Sequence, residues 1–279
     1  MSFDTFRLLM DEVGDHAVIA ILWMWGEPFI NGKLCEMIAY ARSKNMATVT
    51  STNGQHVQTK EEAESLVSSG LDSLIVALDG ASQEVYSRYR VGGDVTKVLR
   101  CLELVRQAKD ALKSDTPRVN VRTVVMKHNQ HELPEIERIA RRYGADMLSR
   151  KTASMPDYCG PDADELFAPD DASYQRFQYR VGKRVRLSSE QYRCRRPWSR
   201  MTVTSDGTVL SCEFDFNKTA PFGTGGRGRS FVQAWRDEAA SAFRRQFLMD
   251  RSVYRFCADC HYRDSGGDEC TVEMIRLRP

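Results

Sequence analysis

Four cysteines in the C-terminal third, Cys194, Cys212, Cys257 and Cys260, combine residue type and spacing in the way most able to do chemistry. Seventeen residues separate the first two and two separate the last two. Cys212 closes Ser205-Asp206-Gly207-Thr208-Val209-Leu210-Ser211-Cys212, which reads as a turn followed by a short strand ending on the thiol. Two thiolates from a hairpin and two from a Cys-x2-Cys knuckle make a closed four-sulfur cage, which suits an iron–sulfur cluster or a structural zinc. Cys257-Ala-Asp-Cys260-His261 also fits the attachment pattern of haem c. Two further cysteines in matching places, and no visible export signal, speak against haem. Cys270 is a fifth, competing ligand or an exposed thiol. Arginines crowd the first ligand, with Arg193, Arg195, Arg196 and Arg200 close in sequence. They read as a solvated face, as an anion contact, or as positive charge that tunes a metal centre.

A second layer of polar residues lies where strands should end. Trp25-Gly26-Glu27-Pro28, Ser51-Thr52-Asn53-Gly54 and Asp79-Gly80-Ala81-Ser82 each follow an apolar run. Any one of these is an ordinary turn. Three at consecutive strand ends point to a small-molecule site, because parallel sheets place ligands at their carboxyl ends. His128 and His131, in a loop after another such run, read as a solvated turn or helix start.

The elements that must hold these residues alternate. Phe3 to Val13 reads as helix, Ala17 to Trp25 as a buried strand, Leu34 to Lys44 as helix and Ala47 to Thr52 as strand. Glu61 to Ser69 is helical and stops at Gly70, and Ser73 to Leu78 is an apolar strand. Thr96 to Leu112 and Leu133 to Tyr143 are helical on either side of a strand from Arg118 to Met126. Apolar strands separated by helices predict an α/β fold with a parallel sheet, as a doubly wound sheet or a barrel. Pro156, Gly160, Pro161 and Pro169 mark a loop-rich connection, so three segments are expected: 1–150, 151–191 and 192–279. Trp235 is expected to pack a helix onto the last of them.

Forty basic and thirty-eight acidic residues among 279 leave a net charge of +2. That balance gives no support to nucleic-acid binding. The longest apolar run, Ala17 to Trp25, falls far short of the ~20 residues of a membrane helix. Neither a membrane partner nor a secretory signal is predicted, and eight cysteines then read as reduced thiols or metal ligands in a cytoplasmic protein.

With these residues on the page, the chain resembles the radical S-adenosylmethionine (SAM) enzymes that carry a C-terminal SPASM or twitch domain for an auxiliary cluster. Trp25-Gly26-Glu27-Pro28 resembles the family's glycine–glutamate motif, whose backbone meets the methionine amino group of SAM. Asn53, Asp79 and Arg90 fall where relatives line the cofactor pocket, and Ala77 stands where some relatives have a SAM-contacting serine. Cys194-Arg-Arg-Pro-Trp198, Asp206-Gly207 and Cys257-Ala-Asp-Cys260 resemble the auxiliary-cluster domain. The resemblance implies a partial (β/α) barrel followed by a small cysteine-rich SPASM/twitch domain. Cys194, Cys212, Cys257 and Cys260 would hold one auxiliary [4Fe–4S] cluster, with zinc as the alternative metal. Gly266 occupies the place of a further SPASM cysteine, which favours the single-cluster twitch form. A small-molecule or peptide substrate and an electron-donor protein are the partners that the resemblance admits.

The family's catalytic cluster is held by Cys-x3-Cys-x2-Cys, and the chain contains no such triplet. Cys35 and Cys101 are isolated on helix-like segments and read as buried thiols. The expectation is therefore a barrel missing its first strand. Two readings follow: a radical SAM oxidoreductase or maturase shortened at its N-terminus, or a non-catalytic iron–sulfur or zinc module for electron transfer or partner binding. SAM would serve only if the absent segment is supplied, and the sequence names no catalytic residue.

Overall fold

Helices cover one face of the main sheet, and its register puts the polar strand ends along one rim. The computed structural model describes residues 1–153, 163–175, 177–180, 183–186, 194–258, 260 and 271–278. Pro156, Gly160, Pro161, Arg193, His261, Gly266 and Cys270 lie outside the described residues.

The chain opens with α1 (Phe3–Val13), capped by Ser2, whose hydroxyl accepts from the Thr5 amide at 3.1 Å. β1 (Ile19–Ile21), α2 (Leu34–Ser43), β2 (Ala47–Thr52), α3 (Lys60–Ser68) and β3 (Ser73–Ala77) follow. A capping box starts α3: the Thr59 hydroxyl takes the Glu62 amide while the Glu62 carboxylate returns to the Thr59 amide. Next come α4 (Gln83–Tyr89), α5 (Val95–Leu112), β4 (Arg118–Val125), α6 (Leu133–Arg142) and β5 (Met147–Thr152). Ser82 and Asp94 cap α4 and α5, so those polar residues are both turn formers and helix starts.

Strands β1 to β5 pair in parallel in chain order. Leu74, Val76, Leu78, Val119, Val121, Val125 and Leu148 point into a core completed by Ile38, Leu66, Val98, Leu102 and Ile136 of the helices. Asn120 and Ser149 sit on the opposite face, joined by a buried hydrogen bond of 2.9 Å. Helices therefore cover one face and leave the other to the interior, as in a partial barrel.

The expected buried strand over Ala17 to Trp25 is only three residues long and is not buried. β1 is a sheet edge; Val18, Ile19 and Ile21 are exposed, and Ala20 alone turns inward. An unbroken apolar run cannot distinguish a central strand from an edge, because what decides is whether a second strand pairs with it.

α7 (Ala163–Phe167) and the antiparallel pair β6 (Phe177–Arg180) and β7 (Lys183–Arg186) lead to the last region. There, α8 (Arg196–Ser199) precedes β8 (Thr202–Val203), β9 (Thr208–Leu210) and β10 (Pro221–Thr224). These three make a small antiparallel sheet in the order β10-β9-β8. Gly207 turns the β8–β9 hairpin at φ 86°, and a Cβ there would sit 2.6 Å from the Gly225 carbonyl oxygen. α9 (Phe231–Arg236), α10 (Glu238–Met249) and α11 (Arg255–Ala258) pack beside it. Trp235 does pack as expected, its ring 5.4 Å from that of Phe222.

The final strand, β11 (Thr271–Arg276), leaves the region expected as a separate segment 192–279 and pairs antiparallel with β5. Arg150 on β5 binds Glu273 on β11 at 2.6 Å and Glu137 on α6 at 3.2 Å. Sequence alone offered no sign of this return, since antiparallel pairing to a distant strand leaves no local periodicity.

Candidate functional site: a four-thiol cage and a polar rim

Each thiol reaches the cage by a different local device. Cys194 lies just ahead of α8, where Arg195 and Pro197 start the short helix. Cys212 follows β9, in a loop that buried Asp215 folds. The Asp215 carboxylate accepts from the Thr219 amide and hydroxyl, both at 2.7 Å, and from the Ala220 amide at 2.8 Å. Cys257 sits on α11, and Cys260 follows it. All four, with Arg196, Pro197, Phe243, Phe247, Arg251 and Phe256, line one cavity.

The cage is walled by apolar surface and electrostatically demanding. Burial, with Cys260 and Cys194 adding to it, pushes the Cys257 thiol up to about 12. Burial also raises Cys212, with Glu213 adding to it. Arg196 is buried and makes a short ion pair with Glu213, while Arg200 stands 3.7 Å from the same carboxylate. Among the described residues, no group of three His, Cys, Asp or Glu is arranged to hold a metal ion. The four thiols line a common cavity. Four sulfurs shielded by aromatic side chains and flanked by guanidinium charge fit an iron–sulfur cluster in donor type and number.

The rim forms at the carboxyl ends of β1 to β4. Gly26 adopts φ 75°, and a Cβ there would meet nothing within 4 Å, so its backbone faces open space. Glu27 accepts from the Asn53 amide at 2.6 Å and from the Phe29 amide at 3.2 Å, tying the end of β1 to that of β2. Pro28 begins the 3-10 turn that follows. The Asn53 side chain accepts from the Gln55 amide at 3.0 Å.

Asp79 is fully buried. One of its oxygens accepts from the Val124 amide at 2.7 Å and the other from Arg90 Nε at 2.6 Å. Arg90 is partly exposed, and its pair with Asp79 raises it above an ordinary arginine. Asp79 therefore works by aiming Arg90. Of the expected pocket residues, Glu27 and Asn53 form one linked pair, and Asp79 and Arg90 another.

Several supporting residues escaped the sequence. Asn129 donates to the carbonyls of Asp79 and Val124, both at 2.9 Å, and accepts from the Met126 amide. Asn129, between the two histidines of this loop, does the bridging. The expectation of a solvated turn is also corrected at His128, which is buried behind Phe167 at a ring distance of 5.9 Å. Gln55 donates to the Asp94 carbonyl at 3.0 Å and accepts from the Asp94 amide at 3.0 Å. Cys101 is buried, its thiol pushed up to about 12 by desolvation, and Cys35 is half-buried. An open groove of about 510 Å³ lies on the outer helical face beside Arg100, Glu103 and Tyr143. None of the rim or cage residues lines it.

The two regions touch. Trp25 meets Phe216 of the cage loop edge-on with centroids 4.0 Å apart. Glu12 of α1 accepts from the Ser230 hydroxyl at 2.6 Å and the Val232 amide at 3.1 Å, at the start of α9. No described helix is long and apolar enough to cross a membrane.

Comparison with known proteins agrees with this layout. The model of the radical SAM superfamily matches residues 1–140. That of the SPASM iron–sulfur cluster-binding domain matches residues 194–261. Mycofactocin maturase MftC of Mycolicibacterium smegmatis is 29% identical over 182 residues, 64% of this chain and 44% of that protein. A tungsten-containing aldehyde ferredoxin oxidoreductase cofactor-modifying protein of Pyrococcus furiosus is 24% identical over 297 aligned residues, covering 95% of this chain and 80% of its own. The chain spans about half the length of several curated relatives that it matches. Among solved structures, SuiB of Streptococcus suis superimposes with a TM-score of 0.61 at 13% identity, covering 87% of this chain and 61% of that one. BtrN in complex with AdoMet and 2-DOIA gives 0.53 at 16% identity, covering 99% and 86%. The parallel sheet, the rim, the cage and the matched models agree: this chain belongs to the radical SAM superfamily and carries a C-terminal SPASM domain.

Proposed function

We propose that Cys194, Cys212, Cys257 and Cys260 hold one auxiliary [4Fe–4S] cluster, and that the rim of Gly26, Glu27, Pro28, Asn53, Asp79 and Arg90 cradles SAM. On this reading the chain is part of a radical SAM enzyme that modifies a peptide or small-molecule substrate, as the names of its relatives suggest. The observation that carries the proposal is that four thiols from separate parts of the chain line a single cavity.

When bound, the auxiliary cluster supplies one-electron exchange. The chain's own residues do the rest. Gly26 leaves its backbone open to a ligand's amino group, and Glu27 fixes that loop by gripping the Asn53 amide. Arg90, held by Asp79, presents a guanidinium edge suited to a carboxylate. Phe243, Phe247 and Phe256 keep water from the cage.

SAM cleavage needs three further thiolates, and the eight cysteines of these 279 residues contain no Cys-x3-Cys-x2-Cys. The proposal therefore includes a separate source for them. That same spacing favours a second reading, a cluster-bearing module for electron transfer or partner binding that does not cleave SAM.

Anaerobic reconstitution with iron and sulfide tests the assignment. About four iron per chain are expected, and Cys257→Ala should lose them and destabilise the SPASM region. Zinc binding without iron uptake would sink the cluster. Arg90→Gln should weaken SAM binding about tenfold, since a hydrogen bond to a charged group contributes about 1.5 kcal/mol or more. Cleavage of SAM by the reconstituted chain alone would refute the need for outside thiolates.

A further inference from the structure

One stretch beside the rim packs on neither large core. Residues 163–171, which begin with α7, lie against the loop that follows β4. Phe167 and Ala168 join Met126, Ala153 and Val124 in a small apolar cluster separate from the two large ones. The bonds that hold the stretch down are polar and near the surface. Gln130 donates to the Asp170 carboxylate at 2.6 Å and accepts from the Asp170 and Asp171 amides at 3.0 and 3.3 Å. The Lys127 amide donates to the Phe167 carbonyl at 3.1 Å. Just beyond, Tyr174 is anchored: it is buried in the main core and its hydroxyl donates to Glu273 of β11 at 3.1 Å. A few apolar contacts and exposed hydrogen bonds beside a firm anchor mark a segment of low local stability.

The Phe167 ring stands over His128 at 5.9 Å and against Tyr89 at 6.5 Å. The Arg90 guanidinium lies 5.0 Å from the centre of the Tyr89 ring, so the stretch touches the residue that backs the rim's cation. His128 is buried, and its Nε2 atom finds no hydrogen-bond partner among the described residues. An orphaned polar atom under Phe167 opposes closure, because opening returns it to water. The Gln130 bonds and the small cluster favour closure. These opposing contributions leave the stretch poised to move.

We propose that residues 163–171 are a lid over the β4 end of the rim, latched by Gln130 and closing on bound SAM. Lifted, the lid uncovers His128 and the corner formed by Tyr89 and Arg90. The inference rests on the reading of the rim as the SAM site. A lid at the carboxyl ends of parallel strands excludes water from the ligand beneath it and governs the ligand's release.

The test reads the rate at which diethyl pyrocarbonate modifies His128 in the full chain, located by tandem mass spectrometry. The pH is 7.5, where an imidazole is in its reactive neutral form. His131, exposed in the same loop, is the internal control against which every rate is taken. In the unsubstituted chain His128 should react far more slowly than His131. Gln130→Ala removes the latch and should speed the reaction of His128 about fivefold or more. Gln130→Glu, which sets a carboxylate against Asp170 at nearly unchanged volume, should act in the same direction. SAM, its binding followed by calorimetry, should slow His128 in the unsubstituted chain about threefold or more, because a ligand held by the closed form draws the population toward it. Equal His128 rates in the unsubstituted chain and both variants would overturn the latch. SAM that binds without slowing His128 would overturn the lid and leave the rim assignment standing. No SAM binding would sink the reading of the rim instead, and the lid with it.

Discussion

His128 is buried at the end of β4, and its Nε2 atom has no hydrogen-bond partner. Burial lowers its pKa from the ordinary 6.5, and the nearby Arg88 lowers it further against the opposing pull of Asp79 and Glu132. Because the folded value is depressed, the unfolded chain takes up a proton that the folded chain resists. Stability from this group is therefore complete above about pH 6.5 and is lost as pH falls below it. Calorimetric Tm values at pH 7.5 and 5.5 should show a larger drop for the unsubstituted chain than for His128→Gln; equal drops would refute the assignment. Nothing in Lys127-His128-Asn129 distinguishes a buried ring from an exposed one. What hides it is Phe167, on a distant segment. Asp79 was legible as a polar residue at a strand end, but its pairing with Arg90 was not, because only the burial of Asp79 shows which of the two faces outward.

At the scale of the element, glycines on the rim play opposite parts. Gly54 adopts φ 76°, and a Cβ there would fall 2.9 Å from Val98 Cα, against the backbone of α5. Gly26 has nearly the same φ but open space around it. Left-handed backbone costs a non-glycine residue about 1 to 2 kcal/mol. Gly26→Ala should lose roughly that much, whereas Gly54→Ala should lose distinctly more, since α5 must also shift. Urea denaturation of the two variants decides it, and equal losses would mean that the close packing of the β2 loop on α5 does not matter. Local patterning found nearly every long helix and strand of the first 142 residues to within a residue or two. The short helix α4 was missed, as were most elements after Arg142. They are short, and their apolar residues answer to partners far along the chain.

Across the whole molecule, the second hydrophobic cluster ignores the boundary between the two matched families. Phe6, Leu9 and Met10 of α1 and Met37 of α2 pack in the same cluster as Phe222, Phe231, Phe243 and Phe247 of the SPASM region. Removing Phe231, which is fully buried there, should cost about 3 to 5 kcal/mol. Because the cluster joins both regions, Phe231→Ala should lower one cooperative calorimetric transition. A variant whose SPASM region melts apart from an unshifted barrel would contradict a shared core. The sequence showed Phe3 to Val13 as a helix, but it could not show that this helix packs on a region more than two hundred residues away.

The pairing of β11 with β5 gives the SPASM region two stems. The chain leaves the sheet after Thr152 and rejoins it at Thr271, opposite Lys151. A module held by one linker can swing, whereas one held at two neighbouring strands can only rock about the pair. Closing so long an excursion carries an entropy cost that grows slowly with its length, and whatever cross-links the detour internally reduces it. Cysteines drawn onto a common cofactor are such a cross-link. Filling the cage should therefore tighten the far edge of the barrel sheet, read as slower amide hydrogen exchange in β11. By that route the mechanical state of a sheet edge reports whether a distant redox centre is in place.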